Sequence, residues 1–235
     1  MIDVSNLNGS FNIFNLFRIA KYKRDFIKAH PTYFNPDGLL IFCGAQGEGK
    51  TLSAVDYVKK LTWDYPKAIL CTNVDIKGLN PLTKVIEYDG LNCLTSIENG
   101  YDGVIYLIDE IHLEFNSLES KNIPIEVMIE VSQQRKQRKH IVGTSQQFMR
   151  LAKPLREQVK NLVICKKIFG CIQFNKLIDG STIQEKDGHI HMEVKKRCIW
   201  FHSPDMYDSY DTYKKMRRYR NEWKGVTRSN IYSEV

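Results

Sequence analysis

Gly44-Ala45-Gln46-Gly47-Glu48-Gly49-Lys50-Thr51 stands directly behind the apolar run Leu39-Leu40-Ile41-Phe42-Cys43 and ahead of a helical stretch, Thr51 to Leu61. Glycines at 44, 47 and 49 let the backbone curl so that successive N–H groups point inward at an anion, through angles that a Cβ resists. A lysine and a hydroxyl residue follow at the helix start, where the positive end of the helix dipole adds to the attraction for phosphate. The spacing is that of the phosphate-binding loop, and a strand before it and a helix after it are the context its mechanism requires. Gly44, Ala45, Gln46, Gly47, Glu48, Gly49, Lys50, Thr51 and Leu52 are therefore the candidate nucleotide-binding residues. The expected ligand is ATP with Mg²⁺, Lys50 reaching the outer phosphates and Thr51 giving its hydroxyl to a metal held mostly by those phosphates.

A second apolar run, Val104-Ile105-Tyr106-Leu107-Ile108, ends in two carboxylates, Asp109-Glu110. Placed beside the first strand, it would put Asp109 in the Mg²⁺ shell and Glu110 where it can polarise the attacking water. A divalent cation offsets the repulsion between the two acids. Phosphoryl transfer draws on further positive charge, commonly an arginine delivered by a neighbouring subunit. The cluster Arg135-Lys136-Gln137-Arg138-Lys139 lies between the acidic pair and the next strand. Arg135 is the preferred finger and Arg138 the alternative, with a face toward DNA or water as the other reading of both. Gln146 follows the strand Ile141-Val142-Gly143-Thr144, where its amide would meet the γ-phosphate. The catalytic candidates are thus Glu110, Arg135 and Gln146, and the metal candidates Thr51 and Asp109.

From Gly38 onward short apolar strands alternate with helical segments, which predicts a mainly parallel sheet built from β-α-β units. Ala68–Asn73 reads as a strand and Leu91–Asn99 as a short helix. Ile123–Arg138 reads as a helix with its face at Ile125, Met128, Ile129 and Ser132, and His140–Thr144 as a strand. Beyond Pro154 the pattern turns to antiparallel strands, Asn161–Ile168, Cys171–Leu177 and Ile190–Phe201, and Ser209–Trp223 reads as a basic, tyrosine-rich helix. Met1–Pro36 reads as an amphipathic arm, either a helix packed on its own core, a strap onto a neighbouring subunit or a membrane-surface helix. The expected organisation is an arm over 1–36, an ATPase core over 37–160 and a C-terminal β extension with its basic helix over 161–235, in one globular domain.

At 235 residues, with 43% hydrophobic and 26% charged side chains, the chain can bury a substantial core and is far from a disordered composition. Its apolar runs are far shorter than the roughly 20 residues a membrane-spanning helix needs, and Met1–Ser10 lacks the pattern of a secretion signal. A cytoplasmic location is the expectation. The six cysteines contain no C-x-x-C pair and read as reduced, buried thiols. The net charge of +7 is concentrated: residues 135–167 hold ten Lys/Arg against one Glu, and residues 195–228 ten against four acids. A basic second half on an acidic first half is the footprint of a protein that faces a polyanion.

With these residues in place, the chain resembles the FtsK/HerA branch of P-loop ATPases, and more narrowly the zonula occludens toxin-like and small viral DNA-packaging ATPases. The resemblance spans about Leu39 to Arg156. It rests on the phosphate loop, Cys71-Thr72-Asn73, Ile108-Asp109-Glu110, Ser132-Gln133-Gln134-Arg135-Lys136 and Gly143-Thr144-Ser145-Gln146, with an echo at Tyr210-Asp211-Thr212-Tyr213. It implies a RecA-like core, a homo-oligomeric ring (pentamer or hexamer) and translocation of DNA through the ring's pore. It also implies that Arg135 lies where packaging motors place their trans-acting arginine. Filamentous-phage assembly members carry a membrane anchor that is not found here. That favours a motor that packages double-stranded DNA into a preformed capsid, with a portal or capsid vertex as partner. The alternatives are a soluble extrusion motor for single-stranded DNA virions and a nucleotide-gated scaffold.

Overall fold

The computed structural model describes residues 13–31, 33–186 and 189–211. The chain divides into two units, residues 1–33 and 34–235. The first holds α1 (Ile13–Ala29), where aromatic side chains four residues apart meet on one face: Tyr22 stacks on Phe26 at 6.3 Å and Phe26 on His30 at 4.5 Å. The helix stops just before Pro31, whose ring disfavours helical geometry at the residue preceding it.

In the second unit the strands are β1 (Leu39–Cys43), β2 (Ile69–Thr72), β3 (Asp75–Ile76), β4 (Val85–Glu87), β5 (Val104–Ile108), β6 (Lys139–Ser145), β7 (Val159–Ile168), β8 (Ile172–Asp179), β9 (Gln184–Lys186), β10 (His189–His191), β11 (Val194–Phe201) and β12 (Tyr210–Asp211). The helices are α2 (Lys50–Asp64), α3 (Asn92–Ser96), α4 (Ile125–Gln133), α5 (Lys153–Arg156) and α6 (Pro204–Tyr207). The main sheet runs β11-β8-β7-β1-β6-β5-β2-β4. All pairings from β7 to β4 are parallel, and β8 and β11 extend the β7 side antiparallel.

β1 and β5 are buried at every residue, as parallel strands covered on both faces must be. The period of two then sorts their side chains. Leu39, Ile41, Tyr106 and Ile108 join one core with Val127 and Val131 of α4, while Leu40, Phe42, Ile105 and Leu107 join the other with Ala54, Val55 and Val58 of α2. Among the described residues, no helix is long and apolar enough to cross a membrane.

Several expectations are corrected. The acidic strand β5 is not the neighbour of β1: β6 lies between and pairs with both. β7 pairs parallel with β1, so antiparallel pairing begins one strand later than the sequence pattern suggests. The run Ile190–Phe201 divides into β10, paired with β9, and β11, paired with β8. α4 covers Ile125–Gln133 and buries Val127 and Val131, whereas Ile125 and Ile129 are exposed. With apolar residues on two stripes of so short a helix, periodicity alone could not choose the buried one. Tyr210 and Asp211 form a strand against β3 rather than the start of a helix, and the rest of the basic segment expected to Trp223 lies outside the described residues.

Candidate nucleotide-binding site

In a parallel sheet all the loops that follow strands leave from one edge. The turns after β1, β5 and β6 therefore share an edge, and the middle strand β6 brings the other two within reach of its own end. After β1 the chain turns through Gly47 at φ 83° and Gly49 at φ 76°, both in the left-handed region that a side chain resists. Gly49 hands the chain to α2, its carbonyl accepting from Ser53 N at 2.9 Å. Lys50 is buried against the loop it follows, its Nζ donating to Ala45 O at 3.0 Å.

Thr51 Oγ1 donates to Asp109 Oδ1 at 2.9 Å, joining the phosphate loop to the end of β5. Asp109 is buried, and the same carboxylate oxygen accepts from the Thr144 hydroxyl of β6. Its backbone is clamped as well: Asn73 Nδ2 donates to Asp109 O at 3.0 Å, and Asp109 N donates to Asn73 Oδ1 at 2.8 Å. Thr144 has a second task, accepting from Glu110 N at 2.8 Å. Three segments thus hold Asp109, two of them at its carboxylate. Thr51 and Asp109 offer two oxygen donors side by side, the chemistry Mg²⁺ selects, and phosphate and water oxygens would complete its shell.

Glu110 sits at φ 55°, a left-handed conformation that costs a non-glycine residue roughly 1–3 kcal/mol and tends to be kept where function needs it. Its Oε2 lies 3.2 Å from His112 Nδ1, and that nitrogen also lies 3.4 Å from Ser145 Oγ. Gln146 leaves the end of β6 on the same edge, its Oε1 accepting from Arg150 Nη1 at 3.1 Å. The edge therefore gathers Lys50, Thr51, Asp109, Glu110 and Gln146.

Arg135 and Arg138 are not there. They precede β6, and Arg138 O accepts from Val104 N at the start of β5, so both belong to the opposite edge of the sheet. Arg138 lies over the Tyr101 ring, its guanidinium carbon 4.2 Å from the ring centre. Arg135 is exposed near Gly38, ahead of β1. The length of a five-residue strand, about 17 Å at 3.3 Å per residue, separates them from the phosphate loop of their own chain.

A further set of residues carried no local signal. Glu48 is held from the antiparallel extension: its side chain accepts from Lys167 N, and its carbonyl accepts from Gln173 Nε2 at 3.1 Å. Gln173 is fully buried, donates also to Asn175 Oδ1 at 2.8 Å, and Asn175 donates on to Ser53 Oγ at 3.1 Å. A Cβ at Gly49 would fall 2.1 Å from Gln173 Oε1, so the loop and the extension fit against each other without slack. Asn73 and Thr144 stood in the quoted motifs, but only the register of the sheet gives them partners.

A glycine loop after one parallel strand, an acidic pair two strands away, and a strand between them ending in Thr144 and Gln146 make up the RecA-like P-loop NTPase fold. Solved structures similar to the chain share it. The N-terminal domain of zonular occludens toxin from Neisseria meningitidis superposes with a TM-score of 0.50 at 18% identity, over 74% of this chain and 98% of that one. The genome-packaging NTPase B204 of Sulfolobus turreted icosahedral virus 2, in complex with AMPPCP, gives a TM-score of 0.50 at 10% identity over 68% and 98%, and its complex with AMP gives 0.50 at 11%. No protein-family profile and no curated protein sequence matches the chain.

Proposed function

We propose that this chain is an ATP-driven DNA translocase, and specifically the packaging motor ATPase that pumps double-stranded viral DNA into a preformed capsid. The observation that carries the reading is the bond from Thr51 to Asp109. It joins the hydroxyl of a phosphate loop to a buried carboxylate, the pair from which P-loop enzymes build their metal site. When bound there with the nucleotide, Mg²⁺ would neutralise charge on the outer phosphates. Lys50 exchanges the Ala45 carbonyl for a phosphate oxygen, which better suits an ammonium. Glu110 orients the attacking water and takes its proton at a carboxylate oxygen, while His112 holds that carboxylate in place. Gln146, at the end of the strand between loop and acidic pair, is set to contact the γ-phosphate.

Arg135 fits a trans-acting role in a ring of like subunits, because its own phosphate loop is at the other edge of the sheet. The basic runs over residues 135–167 and 195–228 supply the charge for backbone contact with DNA. The kinship in fold with the viral packaging NTPase B204 favours the packaging reading, and that with the zonular occludens toxin domain keeps an extrusion motor for single-stranded DNA virions as the second.

Steady-state ATP turnover with and without duplex DNA tests the proposal. Stimulation that weakens as salt rises is expected. If duplex DNA leaves turnover and binding unchanged even at low salt, DNA translocation is wrong, and stronger stimulation by single strands selects the second reading.

A further inference from the structure

Behind the phosphate loop lies a cavity of about 170 Å³. It is lined by Gly47, Gly49, Lys50 and Thr51 together with Lys167, His202, Tyr207 and Tyr210. The second group comes from the antiparallel extension and the segment that follows β11. The extension already braces the phosphate loop at Glu48, and the segment after β11 returns to the same site and is pinned there. Lys77 N donates to Ser209 O at 2.7 Å, and Tyr210 and Asp211 pair with Ile76 and Asp75 of β3.

The aromatic wall is held by its own contacts. The His202 and Tyr207 rings meet edge to face at 5.4 Å, and Trp200 lies 4.9 Å behind His202. The Tyr207 hydroxyl is engaged on two sides, 2.6 Å from His202 Nδ1 and donating to Gly170 O at 3.0 Å. His202 Nε2 lies 3.1 Å from Gln173 Oε1, which ties the wall to the residue that braces the loop. Tyr207 lines the cavity and is about half exposed, and with its hydroxyl engaged its ring is the part left for contact with a ligand.

The cavity lining brings together the phosphate loop, the ammonium groups of Lys50 and Lys167, and aromatic surface. A nucleotide pairs the same two chemistries, anionic phosphates and a flat base. We infer that Tyr207, backed by His202, is the stacking platform for the nucleobase of the bound nucleotide, so that the antiparallel extension supplies the base subsite of a site whose phosphate end lies on the parallel core. This rests on reading the loop as a nucleotide site. A preset ring loses little freedom when a base stacks on it, which is where such a platform gains its affinity.

Equilibrium binding of Mg-ATP and of Mg-tripolyphosphate, which lacks sugar and base, to the full chain separates the possibilities. Tyr207→Ala is expected to weaken ATP by about tenfold while tripolyphosphate stays within about twofold, and Tyr207→Phe, which keeps the ring, restores most of the ATP affinity. Retained tripolyphosphate binding also reports that the variant is folded. Equal weakening of both ligands would overturn the platform and make Tyr207 a brace for the loop. No change in either would also overturn it. If wild type binds neither ligand, the nucleotide reading has failed along with it, whereas Lys50→Ala losing both ligands leaves that reading standing.

Discussion

The two edges of the parallel sheet hold polar residues of similar kinds and use them in opposite ways. At the edge where strands end, Thr51, Asp109, Thr144 and Glu110 bond to one another beside an open cavity. At the edge where strands begin, the groups are consumed by structure. His140 is buried between Gly38 O at 2.7 Å and the Tyr57 hydroxyl at 3.0 Å. Lys139 is buried with its ammonium on Leu94 O at 2.8 Å and Glu130 Oε2 at 2.7 Å, and Arg138 lies on Tyr101. Arg135 breaks the pattern: it is exposed, and among the described residues its side chain makes no hydrogen bond or ion pair. The lesson is that charge in a sequence cluster does not have one role: neighbours three residues apart divide into a structural cation and an exposed one.

The contrast can be broken most severely at Arg135. Arg135→Ala should cut turnover of the assembled protein by about 10³-fold while leaving ATP affinity unchanged, as expected of a charge met only in the transition state. Turnover followed against protein concentration checks this, and an unaffected rate would make the whole starting edge structural or DNA-facing. Glu110→Gln should lower turnover by about 10²- to 10³-fold with ATP still bound, read by single-turnover hydrolysis alongside equilibrium binding.

His140 tests the structural side. Burial lowers its pKa from 6.5 to about 4, opposed in part by the Gly38 carbonyl and Asp37. The unfolded chain therefore takes up a proton below pH 6.5 that the folded chain refuses until about pH 4. This group's contribution to stability is complete above pH 6.5 and falls by about 3 kcal/mol as pH drops through that window. Denaturant unfolding between pH 7 and 4 should show the loss, and His140→Gln should flatten it. The smallest effect is expected at Arg138: Arg138→Ala removes a cation over an aromatic ring, costs about 1 kcal/mol and lowers the melting temperature by about 2–4 °C, with turnover within twofold.

What the sequence made legible followed from range. The glycine loop is a contiguous signal whose residue types are dictated by backbone angles and phosphate, and the apolar runs of β1 and β5 announce buried parallel strands. Thr51 and Asp109 could be singled out because each stands at a fixed place relative to its own strand. The brace on the loop could not: Gln173 and Asn175 sit in an ordinary alternating strand more than a hundred residues from Glu48 and Ser53, and their partners exist only once β8 is in register with β7. Tyr207 and His202 were likewise two aromatics among many. The edge on which Arg135 falls was hidden for the same reason, since strand direction assigns it and composition does not.

The central claim is that the phosphate loop and Asp109 form one metal-nucleotide site. Equilibrium binding of ATP to wild type and to Asp109→Asn, each with and without Mg²⁺, tests it directly. The asparagine keeps an oxygen to accept from Thr51 and Thr144, so the fold should persist while the charge is lost. Wild type should bind ATP at least about tenfold more tightly with Mg²⁺, and Asp109→Asn should lose most of that gain. An Asp109→Asn variant with the full Mg²⁺ dependence of wild type would contradict the account.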